Sequence, residues 1–209
     1  MKQQIEFTCP HCKNKFNIDI YPVINLQSDT DLYDGLFSLE LFKIECNNCK
    51  KVTMVEYDVL VVDMFKKYII YLYKSGTLET FNNQKDKFIN SLKTNEKFIE
   101  IFNELKYTRI VTSLSELLEK LLIFDYDLND RIIAKVKKLL FDEEHIDKAK
   151  YTNLNFEKLD KQDLIFTCYN LTDSAINPAE LKLNFNYYNQ IIDSFNGIPE
   201  ETENFEYIN

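Results

Sequence analysis

Two short cysteine motifs, Cys9-Pro10-His11-Cys12 and Cys46-Asn47-Asn48-Cys49, constrain this chain more than any other feature. Two residues between cysteines is the spacing at which a tight turn presents both sulfurs to one ion, and two such turns complete a four-thiolate shell. Cys9, Cys12, Cys46 and Cys49 are therefore expected to bind one structural Zn2+ per chain. Such a shell is closed and leaves no position for water or substrate, so it speaks to folding more than to chemistry.

The segments flanking the motifs read as strands. Gln4 to Thr8 runs into the first motif, and Phe16, Ile18 and Ile20 alternate with polar residues on the way out. Leu39, Leu41 and Ile44 lead into the second, and Val52, Met54 and Val55 lead away. Two strand-knuckle-strand units sharing an ion make a zinc ribbon. Asp29 to Phe37 reads as a short helix capped by Ser28 or Asp29, with Leu32, Leu36 and Phe37 on one face. Tyr68 to Tyr73 is predicted as a further strand of the ribbon's sheet.

Beyond Gly76 the period becomes helical. Phe88, Ile89, Leu92, Phe98, Ile99 and Phe102 define amphipathic helix over Asn82 to Leu105, broken near Thr94. Ile110-Val111 reads as a strand, and Ser113 to Glu116 fits a capping box opening a helix through Leu122. Asp127 to Asp130 caps the next helix, whose stripe is Ile132, Ile133, Val136 and Leu140, giving a helical hairpin. Strands return with Leu164, Phe166 and Cys168 on one face and Leu181, Leu183 and Phe185 on a partner. Tyr188 to Phe195 reads as a helix stopped by Asn196-Gly197-Ile198-Pro199, and Phe205 to Ile208 as an edge strand.

Charge bears on partners. Of 25 basic and 34 acidic side chains, residues 151–209 hold 3 and 10, so most of the net charge of −9 is C-terminal. The first 150 residues are nearly neutral, which speaks against a phosphate-gripping surface. Only Gly35, Gly76 and Gly197 are available, too far apart for a glycine-rich phosphate loop, and two histidines give no zinc-protease helix motif. No apolar stretch suits a signal or a membrane span, which points to the cytoplasm, where clustered cysteines stay reduced.

Other residues admit sharper readings. Cys9-Pro10-His11-Cys12 resembles the motif of thioredoxin-fold disulfide oxidases, where the first cysteine opens a helix. Here the following residues alternate as a strand, so a metal site is preferred, with redox chemistry or an iron-sulfur cluster as alternatives. His11 should point to solvent, His145 sits among acidic residues at a helix end, and Cys168 reads as a buried inert thiol. Lys13, Lys15, Lys50 and Lys51 flank a doubly negative centre and read as charge compensation. Arg109 and Arg131, the only arginines, are expected to pair with Glu116, Glu119 or Asp130.

Phe7-Thr8-Cys9-Pro10-His11-Cys12, the Leu36 to Phe42 connection, the second knuckle, Arg109-Ile110-Val111, Glu119-Lys120 and Asn129-Asp130-Arg131 together resemble the bacterial CpXC family over roughly residues 5–140. The resemblance implies four metal-type cysteines and assigns no biochemical activity. Asn47 stands where the family pattern has proline, and Lys13 and Lys50 stand where glycine commonly follows each second cysteine. If those positions need positive φ, each lysine costs on the order of 1 kcal/mol, small beside the roughly 10 to 16 kcal/mol of zinc binding.

The expected fold is α+β: a zinc ribbon over 1–75, a helical section over 76–150, and an α+β section over 151–209 packing back on the rest. The expected role is non-catalytic, a zinc-stabilised module for contact with another protein. A nucleic-acid-contacting ribbon and a thiol-disulfide oxidoreductase are the alternatives, and no membrane association is expected.

Overall fold

The computed structural model describes residues 2–94, 104–142, 146–173, 175–194 and 205–208. The described residues form a mixed α+β structure with five helices and four small sheets, in two compact units. The first comprises Met1–Leu117 with Thr202–Tyr207, the second Leu118–Glu201 with Ile208–Asn209.

In the first unit, β1 (Gln3–Thr8) and β2 (Lys15–Ile20) form an antiparallel hairpin with Phe7 opposite Phe16, and the first knuckle is its turn. The second knuckle likewise joins β4 (Lys43–Glu45) to β5 (Val52–Met54). The second ribbon buries little, with Val52 and Met54 57% and 43% exposed, while the first buries Ile18 and Ile20 of β2. A two-stranded hairpin is marginal on its own, so each needs its knuckle to be held by something else.

A separate four-stranded sheet carries the unit's core, in the order β3-β6-β7-β8, with β3 (Val23–Asn25), β6 (Val59–Asp63), β7 (Tyr68–Leu72) and β8 (Tyr107–Val111). β6 pairs with β3 in parallel and with β7 antiparallel, and β7 pairs with β8 in parallel. The strand expected at Tyr68 to Tyr73 is present but belongs to this sheet, not to the ribbon's. The reason is burial: β6 is buried along its whole length and β7 is nearly so, as central strands covered on both faces must be.

A 3-10 turn (Thr30–Leu32) leads into helix α1 (Tyr33–Phe37), burying Leu32 and Leu36 as the periodicity predicts. The expected cap is absent, because the Asp29 carboxylate accepts from the Asn25 amide instead (2.9 Å). Helix α2 (Leu78–Lys93) starts a turn earlier than Asn82, where Thr77 and Thr80 form a reciprocal capping box, and ends against Thr94 as expected. Phe98, Ile99 and Phe102 lie outside the described residues. Phe81 and Ile89 of α2 join Leu60, Val62, Ile69, Ile110 and Phe205 in one apolar cluster. Phe205 reaches this core from the far end of the sequence, where Glu206 makes a single bridge with Arg109 in place of the edge strand expected there.

The division between units falls inside helix α3 (Leu114–Asp125). Half of the predicted capping box forms: the Glu116 amide donates to Ser113 Oγ (3.2 Å), while the Glu116 carboxylate accepts from the amide and hydroxyl of Thr112. In the second unit, helix α4 (Asp130–Asp142) is capped by Asn129, whose Oδ1 accepts from Arg131 and Ile132, and it buries Ile132, Ile133, Val136 and Leu140. β9 (Asn153–Asp160), β10 (Asp163–Tyr169) and β11 (Ala179–Asn184) form an antiparallel sheet of their own, with Leu183 opposite Leu164 and Leu181 opposite Phe166. Phe185, expected on β11, begins helix α5 (Phe185–Ser194). Its predicted stop at 196–199 lies outside the described residues. No described helix is long and apolar enough to cross a membrane.

Candidate metal centre

The knuckles repeat one backbone design. In the first, the Cys9 amide donates to the Asn14 carbonyl and the Lys13 amide to the Cys9 carbonyl, both at 2.9 Å. In the second, Cys46 donates to Lys51 at 3.0 Å and Lys50 to Cys46 at 2.9 Å. Each loop closes through a left-handed residue, Lys13 at φ 62° and Lys50 at φ 60°. That geometry turns the chain sharply enough to aim both sulfurs of a knuckle to one side.

The sequence quartet converges. Cys9, Cys12, Cys46 and Cys49 bring their sulfurs within 4.8 Å of one another. The cross-knuckle separations are 3.7 Å for Cys9 to Cys49 and 3.6 Å for Cys12 to Cys46. All are free thiols. A disulfide would need about 2.05 Å, whereas a tetrahedral ion with metal-sulfur bonds near 2.3 Å places its sulfurs about 3.8 Å apart. The donor set therefore fits one tetrahedral metal ion. Cys9 and Cys46 are buried, and Cys12 and Cys49 are half-buried.

Electrostatics favours a cation at the centre. The amide of Asn14, followed by the side chain of Asn48, pulls the Cys12 thiol down to about 6. At Cys49 the Lys51 amide pulls the same way but is outweighed by burial and the three neighbouring sulfurs, which push it up to about 11. Four sulfurs this close resist shedding all their protons unless a positive ion takes up the charge.

The surroundings settle several smaller readings. His11 is exposed. Lys15 pairs with Glu6 (3.0 Å), Lys50 with Glu45 (3.6 Å), and Lys13 Nζ donates to the Pro10 carbonyl (3.1 Å), so three of the four flanking lysines are tied down beside the centre. Cys12 is followed by a left-handed residue and a strand, not by the helix a thioredoxin-type cysteine pair requires. Sequence reasoning missed Asn14, Asn47 and Asn48 as contributors. Asn14 Nδ2 donates to Asn47 Oδ1 (2.7 Å) and Asn48 Nδ2 to Cys12 Sγ (3.6 Å). Their one signal was Asn47 in place of proline.

Arg109 is fully buried on β8, donates to the Thr108 carbonyl (3.1 Å) and faces Glu206 at 3.7 Å, a carboxylate 97 positions on and not one of the three expected. In the second unit Glu119 is held by Lys137, with both oxygens within 3.0 Å of Nζ, and by the Phe156 amide at 2.8 Å. Lys120 meets Asp130 at 3.0 Å. These four charges are buried, and burial holds the Lys120 amine below its usual range. Cys168 is buried on β10, which pushes its thiol up. His145 lies outside the described residues.

Fold and site together define an α+β protein built around a four-cysteine, metal-type ribbon. The family described as CpXC protein matches residues 7–137. That span is well over half of the chain, and this chain belongs to the CpXC family. It takes in both knuckles and the buried Glu119, Lys120, Asp130 and Lys137, and leaves out β9 to β11. No curated protein and no solved structure matches the chain.

Proposed function

We propose that this protein is a non-catalytic zinc protein: one Zn2+ is held by Cys9, Cys12, Cys46 and Cys49, and the protein serves contact with another protein. The metal half of the reading rests on sulfurs 3.6 and 3.7 Å apart across the knuckles, the spacing of a tetrahedral thiolate shell. Soft thiolates in that geometry suit zinc, and a closed shell fixes structure instead of activating water. Elemental analysis of the purified chain should find one zinc per molecule; a chain without zinc, or with a fifth, water-derived ligand by X-ray absorption, removes this reading.

Phe65 supports the contact half. It stands 84% exposed at the tip between β6 and β7. The tip is rigidly built: Asp63 Oδ1 accepts from the amides of Phe65 and Lys66 (2.9 Å each), and Gln27 reaches both Asp63 (2.8 Å) and the Met64 amide (2.8 Å). An exposed aromatic on a turn whose backbone is already fixed, two residues before Lys67, suits an apolar pocket with an acidic rim. A photoreactive benzoylphenylalanine at position 65 should capture one reproducible protein in the source cells. Equal capture from the exposed position Asn186 would remove the contact reading.

A further inference from the structure

The two knuckles are alike in backbone and unlike in side chains, and the difference runs across the metal centre. The second knuckle carries Asn47 and Asn48 where the first carries Pro10 and His11. Proline has no amide hydrogen to donate, and His11 is exposed. The second knuckle instead reaches over to the first twice. Asn47 Oδ1 accepts from Asn14 Nδ2 at 2.7 Å, and Asn48 Nδ2 donates to Cys12 Sγ at 3.6 Å. Among the described residues Cys12 is the one cysteine of the quartet whose sulfur receives a side-chain N–H.

We infer that Asn48 is a positioning residue for the metal, and that with the Asn14–Asn47 bond it forms a clasp closing the second knuckle onto the first. This rests on the four-cysteine centre proposed above and adds residues to it. A four-thiolate shell around a divalent ion is doubly negative, and Cys12 is one of the two half-buried ligands. A neutral amide donated to that sulfur spreads its charge and fixes its direction, as outer-shell partners of metal ligands do. The Asn14–Asn47 bond joins residues 33 apart in sequence, so it shortens the gap the ion would otherwise close alone. The donor and the latch come from adjacent residues of the second knuckle, Asn48 and Asn47.

The test uses the full chain loaded with zinc, in competition with a chromophoric chelator, for the wild type, Asn48→Ala and Asn48→Asp. Asn48→Asp keeps the size of the side chain but turns the donor into an acceptor and adds negative charge. Both variants should lose zinc affinity by about tenfold or more, with Asn48→Asp at least as weak as Asn48→Ala. In the wild type loaded with cadmium-113, the side-chain amide protons of Asn48 should show scalar coupling to the metal, a signature that packing alone does not produce. Wild-type affinity in both variants, or no coupling in the cadmium-loaded wild type, overturns the clasp and leaves the four-cysteine site standing. A wild type that takes up neither metal overturns the site, and the clasp with it.

Discussion

Lys13 and Lys50 hold the same left-handed conformation, φ 62° and 60°, each one residue beyond the second cysteine of its knuckle. Left-handed backbone crowds Cβ against the carbonyl oxygen, at a cost on the order of 1 to 2 kcal/mol that glycine escapes. Lys13→Gly and Lys50→Gly should each raise the stability of the metal-loaded protein by up to about 1 kcal/mol, additively. Chemical denaturation of the two single variants and the double would measure it. Destabilisation by either would mean that the lysine side chain holds the loop, through Pro10 or Glu45.

Cys46→Ser should release the ribbons and leave the sheet beside them. Zinc binding of roughly 10 to 16 kcal/mol rivals the stability of a whole domain, and two-stranded hairpins such as β1–β2 and β4–β5 are marginal without such support. Strands β6 and β7 sit in an apolar cluster with α2 that does not include the cysteines. Limited proteolysis should therefore cut within residues 1–20 and 43–54 and spare 59–72. Cleavage spread evenly over all three segments would show that the metal holds the core as well.

Lys137→Met should cost about 3 kcal/mol or more in thermal or urea unfolding, because it leaves the buried Glu119 carboxylate with the Phe156 amide and without its ammonium partner. Joined to Glu119→Leu, part of that loss should return, since replacing a buried pair is cheaper than breaking it, although the Phe156 amide is left without its acceptor. A double variant as unstable as the single one would place the value of this pair in something other than charge.

Burial pushes the Cys168 thiol up, so its thiolate is scarce in the folded protein. Iodoacetamide should leave Cys168 untouched in the folded, metal-loaded chain and label it on unfolding. The sign for stability follows: with the folded pKa above the unfolded value near 8.5, the thiol's contribution is complete below that pH and is lost as pH rises through the folded value. Cys168→Ala should flatten the alkaline fall in stability. A slope unchanged by that substitution would place the alkaline sensitivity elsewhere.

Nucleic acid is not the expected partner. Of the lysines beside the knuckles, Lys15 and Lys50 face carboxylates, which partly neutralises a basic patch there, and the first 150 residues are nearly neutral overall. Fluorescence anisotropy with mixed-sequence oligonucleotides in about 0.15 M salt should show no binding tighter than about 10 µM. Submicromolar binding abolished by Lys13→Glu and Lys50→Glu would reverse the choice of partner.

The knuckles, the first hairpin and the stripe of α4 were legible because each is written locally, as a two-residue spacing, an alternation, or a three-and-four repeat. Strand β6 was not. Val59 to Asp63 is buried at every position, so it has no alternation to read, and a central strand is recognisable only once its neighbours are known. The same reason hid the partner of Arg109: Glu206 reaches it only because the chain returns to β8, which nothing local to either residue announces. Around the metal the ligands were plain from spacing. Asn48 was not, since a donor to sulfur has no sequence signature of its own.

Every residue of the four-cysteine centre lies before the first residue of β6. The second knuckle's hairpin ends at Met54, and the last strand of the four-stranded sheet ends at Val111. At roughly 5 to 20 residues per second of synthesis, the centre is free to close several seconds before the sheet has all its strands. An ion bound at that stage would meet a chain whose sheet is still incomplete. Metal supply during translation would then bear on how much of this protein forms its ribbons.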